Sequence, residues 1–405
     1  MKNLVVGQSG GPTAAINSSL AGVIKMGLES DKVGTVYGMR NGIDGFLKEN
    51  LIDLAYFKDE ERLNILRQTP SSYLGSCRRK LPDIGKNDEL YEDIFALFKK
   101  YNIGYFIYIG GNESMDTVKK LSLYAKHKGY DIIVAGIPKT IDNDLIMTDH
   151  TPGFGSAAKY VANAVSQLSM DTNVYDMKSI VVVEIMGRNA GWLTAAAALA
   201  NSKSNNPVDI ILLPEVVFDE DKFVARVEEI MKNKNSTIIA VSEGIKDKNG
   251  NYIGETGSTL MGDGFNHAAL GGVGKIIEQI ISTRLRIKTR SIELSTLQRC
   301  ASQSISKCDN DEAFMAGFEG TKHALCGNTG FMAGFCRVSD KPYRCEVAYY
   351  DVDKVANLEK KVPQEMIGKD DMSVTEVFTN YARPLIEGEI DLVYNDGVVA
   401  VEIAK

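Results

Sequence analysis

Short apolar runs alternate with amphipathic stretches through the first two thirds of the chain. Leu4 to Val6 predicts a strand, a glycine-rich turn follows, and helical spacing then runs from about Ala14 to Leu28. Tyr105 to Ile109 is a second apolar run, ending in Gly110-Gly111 and followed by helical periodicity from Ser114 to His127. Ile132 to Ile137 predicts the next strand and about Ser156 to Met170 the helix after it. The pattern repeats at Ile180 to Ile185, Ile210 to Leu213 and Ile238 to Val241, with helices near 190–200 and 219–233. Continuous apolar strands joined by helices mean parallel sheets covered on both faces. The predicted fold class is α/β, with two doubly wound domains. The last third is less regular. Leu270 to Leu285 and Asp311 to Ala324 have helical spacing, Asn249-Gly250 signals a surface hairpin turn, and short strands mix with a helix from Lys341 onward.

Composition narrows the class. With 405 residues, 44% of them hydrophobic, the chain can bury more than one core. A net charge of -7 offers no electrostatic footprint for nucleic acid or an anionic membrane. No apolar run approaches the roughly 20 residues of a membrane span, and no signal segment is expected ahead of the strand at Leu4. The six cysteines lie far apart without a zinc-type pairing, as expected of reduced thiols in a cytoplasmic enzyme.

In open α/β sheets ligands bind beyond the carboxyl ends of the strands, so the residues just after each strand carry the chemistry. Gly7-Gln8-Ser9-Gly10-Gly11-Pro12-Thr13 opens a helix and can aim backbone N–H groups at a phosphate; a tight turn needing glycine is the plainer reading. Gly110-Gly111-Asn112-Glu113-Ser114 lets a ligand approach the backbone, with Asn112 offering an oxygen to a hard cation and Ser114 able to cap the helix. Thr140-Ile141-Asp142-Asn143-Asp144 carries two carboxylates at i and i+2. On an extended stretch they point the same way, one to take a proton from a hydroxyl and one to lie beside a metal. Met186-Gly187-Arg188, Glu243-Gly244, Arg290 and Gln298-Arg299 are types that hold a phosphorylated polyol, arginine on phosphate and carboxylate on hydroxyls.

Taken together these segments resemble the phosphofructokinase family. The likeness runs in the family's order through Ser9-Gly10-Gly11, Leu74 to Arg78, Ile109-Gly110-Gly111, Thr140 to Asp144, Val183 to Arg188, Ser242-Glu243-Gly244 and Gln298-Arg299. It implies two Rossmann-like domains with the active site in the cleft between them. Residues 1–150 with about 300–345 would bind donor and Mg²⁺, and residues 151–299 with about 346–405 the sugar phosphate. It implies Asp142 as general base for the 1-hydroxyl of fructose 6-phosphate, with Asp144 beside it, and Arg78 on the transferring phosphoryl group. Gly10, Gly11, Glu113 and Ser114 would face the donor, and Asn112 stands where the family has a Mg²⁺-binding aspartate. Thr140, Ile141, Met186, Gly187, Arg188, Glu243, Arg290, Thr296 and Arg299 would hold the sugar phosphate. Thr296 occupies a position where many members carry histidine, and Ser179 one where an arginine reaches in from a neighbouring subunit. A homodimer or homotetramer is implied.

Two positions bear on the donor. ATP-using members have glycine where this chain has Lys139 and Glu113, and these side chains are expected to fill the nucleotide channel, paired with each other. The chain is thus similar to the pyrophosphate-dependent branch, with Lys139 directed at the leaving phosphate. The alternatives are an ATP-dependent enzyme of the same family and a non-catalytic regulatory subunit. A nicotinamide-dependent dehydrogenase has only the first glycine run in its favour.

Overall fold

The computed structural model describes residues 1–202, 204–259 and 268–404. Two sheets organise them. In the first, β1 (Lys2–Gln8) lies at the centre between β2 (Val33–Met39) and β4 (Ile103–Gly110), and Val5 pairs with Tyr37 on one side and Phe106 on the other. β5 (Ile133–Pro138) extends the sheet beyond β4, and β3 (Leu51–Asp53) closes the opposite edge antiparallel to β2. The hairpin Phe331–Asp340 and Tyr343–Asp351 returns late in the chain to complete it, its first strand parallel to β5. Leu4, Val5 and Val6 are fully buried, as befits a strand covered on both faces.

The second sheet is all parallel: Lys288–Glu293, then β6 (Ser179–Ile185), β8 (Ser236–Ser242) and β7 (Val208–Leu212). Helices cover both faces of each sheet, so the two doubly wound units expected from periodicity are present. The strand Lys288–Glu293 escapes a periodicity reading because it is a half-exposed edge written Lys-Thr-Arg-Ser-Ile-Glu.

The chain crosses between the units more often than a linear division suggests. Helix Lys307–Leu325 packs against helix Ile16–Glu29 beside the first sheet. The approach is close: a Cβ on Gly22 would lie 2.1 Å from the Phe314 carbonyl oxygen, and one on Gly317 2.0 Å from that of Ser19. The expected boundary at 345 falls inside the strand Tyr343–Asp351 of the first sheet. Val362, Ile367, Phe378 and Leu385 then join the core of the second unit, and the end of the chain hydrogen-bonds back to Gln68 and Thr69 of the first.

Candidate active site

The carboxyl ends of β1, β4 and β5 and those of β6 and β8 open onto one cleft of about 700 Å³. Its floor is the turn after β1. Gly10 has φ +77°, its N–H donates to the Cys77 carbonyl at 3.3 Å, and its carbonyl accepts from Ser76 Oγ at 2.7 Å. These bonds fasten the segment ending in Arg78 to the glycine turn. The absence of side chains lets two cations come close: Lys139 Nζ would be 3.3 Å from a Cβ on Gly10, and an Arg299 guanidinium nitrogen 3.0 Å from one on Gly11.

β5 ends at Pro138 and delivers Lys139 to the cleft. The Lys139 N–H donates to the Gly110 carbonyl at 2.9 Å, and its ammonium reaches across to the Gly11 carbonyl at 2.6 Å. Lys139 is 3% exposed, and burial pushes its pKa down to about 8 against the pull of Asp142 and Asp144.

The next turn aims the carboxylates. Asn143 adopts φ +53°, its side-chain NH₂ donates to the Tyr381 hydroxyl at 2.8 Å, and its oxygen accepts the Thr151 N–H at 3.1 Å. Asp142 and Asp144 therefore face the cleft from a left-handed turn rather than from the extended stretch expected. Burial, then Glu243, pushes Asp142 up to about 6; burial, then Asp142 itself, pushes Asp144 up to about 7. Lys139 and Arg299 oppose the shift of Asp142.

The opposite wall comes from the second sheet. Gly187, at φ +143°, donates its N–H to Glu243 Oε1 at 3.2 Å and accepts Ser242 Oγ at 2.5 Å. The Met186 N–H donates to Gln298 Oε1 at 3.3 Å. These bonds tie the ends of β6 and β8 to the Ser295–Arg299 turn, so Met186, Arg188, Glu243 and Arg299 share one wall. Carboxylates of raised proton affinity opposite arginines and an ammonium form a site for moving a proton and an anionic group together.

The profile of the family described as Phosphofructokinase matches residues 3–318. The chain belongs to the phosphofructokinase family. It is 42% identical over 391 residues to the pyrophosphate--fructose 6-phosphate 1-phosphotransferase of Methylococcus capsulatus, covering 96% of this chain and 92% of that one. It is 39% identical over 407 residues to the protein of the same name from Halomonas elongata, covering 100% and 96%. Among solved structures it resembles a pyrophosphate-dependent phosphofructokinase from Nitrosospira multiformis. That likeness has a TM-score of 0.89 at 36% identity and covers 100% of this chain and 98% of that one.

Of the residues the family likeness implied, Gly10, Gly11, Arg78, Asn112, Glu113, Ser114, Lys139, Thr140, Asp142, Asp144, Met186, Arg188, Glu243 and Arg299 line the cleft. Gly187 is not among the lining residues but holds Glu243 and Ser242 through its backbone, and three more lie elsewhere. Ile141 is 6% exposed and packs in the apolar core of the second unit, the anchor between two cleft-facing neighbours. Thr296 is exposed on the 3₁₀ turn and does not line the cleft. Arg290 is exposed on the edge strand, beside Asp171 and Tyr175, in a separate small pocket. Lys139 donates to the Gly11 carbonyl, and Glu113 adds to the pull of Asp142 and Asp144 that raises its pKa against burial. Asn112 spends its amide on the far end of the chain, donating to the Leu358 carbonyl at 2.7 Å and accepting the Asn357 N–H at 3.0 Å.

Sequence reasoning missed Asn189 and the segment Asn357, Leu358 and Glu359, all of which line the cleft. The segment lies in an irregular stretch and reaches the site only because the chain crosses back between the units. No local pattern marks it.

Proposed function

We propose that this protein transfers a phosphoryl group from pyrophosphate to the 1-hydroxyl of fructose 6-phosphate, giving fructose 1,6-bisphosphate and phosphate. The observation that carries the donor assignment is Lys139, whose ammonium spans the glycine turn at the donor end of the cleft. The names of the full-length relatives support the same reading. Asp142 accepts the proton as the hydroxyl oxygen bonds to phosphorus, and the bridging P–O bond breaks to release phosphate. Arg78 and Arg299 flank the path with positive charge, and Lys139 retains N–H donors for the departing phosphate. The step runs in both directions, placing the enzyme in glycolysis and gluconeogenesis.

The donor set fits Mg²⁺, a hard cation that keeps to oxygen ligands and substrate phosphates. Two carboxylates whose negative charge is disfavoured by burial and then by a neighbouring carboxylate, Glu243 for Asp142 and Asp142 for Asp144, gain from a cation beside them. Asp144 would hold it, leaving Asp142 to take the proton, with donor phosphates completing the set; Asn112 stands nearby, its side-chain oxygen already accepting the Asn357 N–H. When bound, Mg²⁺ neutralises charge on the transferring phosphates.

Among the described residues no helix is long and apolar enough to cross a membrane. We place the enzyme in the cytoplasm as a homo-oligomer. Met170, Val174 and Tyr175 are each about two-thirds exposed, and Tyr175 shares a small pocket with Arg290, a face suited to another copy of this chain, which would bring Arg290 to a neighbour's sugar-phosphate end.

The test is a donor comparison with purified protein, fructose 6-phosphate and Mg²⁺. Turnover is expected with pyrophosphate and not with ATP; activity with ATP alone overturns the donor assignment. Lys139→Gly is expected to cut the pyrophosphate-dependent kcat on the order of 10²-fold, as loss of a preorganised donor does. An unchanged kcat removes Lys139 from the mechanism.

A further inference from the structure

The segment from Asn357 to Lys360, beyond the residues that the family profile matches, straps the two walls of the cleft together. On one side Asn357 and Leu358 are bonded to Asn112, and the Asn357 side chain donates to Asp116 at 3.0 Å. On the other, Glu359 accepts from Asn189 at 3.1 Å. Lys360 turns inward behind the carboxylates. Its N–H donates to the Asp144 carbonyl at 2.6 Å. Its ammonium donates to the carbonyls of Asp149 at 2.8 Å and Thr148 at 3.2 Å, and approaches the Asn143 side-chain oxygen at 3.4 Å. It also lies 5.1 Å above the ring of Trp192, whose Nε1 donates to the Lys360 carbonyl at 2.9 Å.

We propose that Lys360 is a positioning residue for phosphoryl transfer, its ammonium gathering the Asp149, Thr148 and Asn143 oxygens so that Asp142 and Asp144 keep their aim. Three converging oxygens repel one another, and a cation with three donors is what holds them in one turn. Without it the three oxygens lose the donor they share, the Asn143 oxygen keeping the Thr151 N–H and the Asp149 carbonyl the Tyr381 hydroxyl, so the left-handed Asn143 loses one of its restraints and the carboxylates drift. Lys360 does not line the cleft, so substrate affinity does not depend on it directly. The inference rests on the pyrophosphate-dependent reading above.

The test is steady-state kinetics of Lys360→Met and Lys360→Arg beside the wild type. For Lys360→Met, kcat with pyrophosphate and fructose 6-phosphate should fall on the order of 10- to 100-fold, since a displacement of about 1 Å costs that much. Both KM values should stay within about threefold, and Lys360→Arg should recover part of kcat. A wild-type kcat in Lys360→Met overturns the proposal. So does an equal loss in kcat and both KM values in the Met and Arg variants, which would mean a merely damaged cleft. If Lys360→Met loses the native thermal transition, Lys360→Gln, which removes the charge and is too short to reach all three oxygens, is judged by the same criteria. A protein that folds with lysine alone makes the residue structural and also overturns the proposal. Wild-type protein that does not turn over pyrophosphate sinks the functional reading instead, whatever the variants do.

Discussion

At the scale of single residues, the cleft holds charge at a cost to stability. Asp144 has its pKa raised to about 7, first by burial and then by Asp142. A carboxyl raised in the folded state is charged there only at a penalty. The penalty is present above the folded value and vanishes as pH falls toward the ordinary range of about 4. Asp144→Asn should therefore be more stable than wild type at about pH 8, with the gap closing between about pH 7 and pH 4. The gain is on the order of 1 kcal/mol, because the open cleft lets water screen the charge. Thermal melts across that range, without substrate or Mg²⁺, check it; a variant less stable than wild type at pH 8 would contradict the cause assigned to the shift. The residue types themselves are legible in the sequence, because Asp142, Asp144, Arg188 and Glu243 all follow apolar runs that read as strands. Their proton affinities are not, since burial and neighbouring charge are properties of the closed cleft.

At the scale of elements, strand-to-turn junctions place the chemistry. β5 ends in Pro138 and hands over to Lys139; β6 ends before Met186; β8 ends before Glu243. Strands apolar on both faces announce themselves by composition, whereas β2, β3 and Lys288–Glu293 do not, being edge-proximal or half-exposed. The returning helix Lys307–Leu325 depends on close backbone approach to Ile16–Glu29 at Gly22 and Gly317. Gly317→Val should thus destabilise the protein by at least about 2 kcal/mol, because its side chain meets backbone rather than a movable side-chain end. A denaturant midpoint equal to wild type would show that the helices can separate at little cost. Because the first of these helices begins just after the glycine turn, the same variant should also weaken donor affinity.

At the scale of the whole molecule, the site is assembled from segments far apart in the chain: the turn after β1, the loop after β5, the wall from β6 and β8, and the strap before Lys360. Arg290 stands outside the cleft of its own chain, on an exposed edge. If another copy completes the site, Asp142→Asn and Arg290→Ala should each be nearly inactive, yet regain activity when unfolded and refolded together. In the mixed oligomer one site then has both native residues. A stable oligomer without complementation would remove Arg290 from the site. The sequence by itself determined the α/β class, the two units, the family and the strand-end residues, because covered strands and phosphate turns each have a local signature in apolar spacing and glycine. Only the tertiary structure decided that Ile141 is a core anchor, that Asn112 ties down the strap, and that Lys139 bonds the Gly11 carbonyl. Those outcomes depend on which distant backbone groups come within hydrogen-bond reach, and no local pattern encodes that distance.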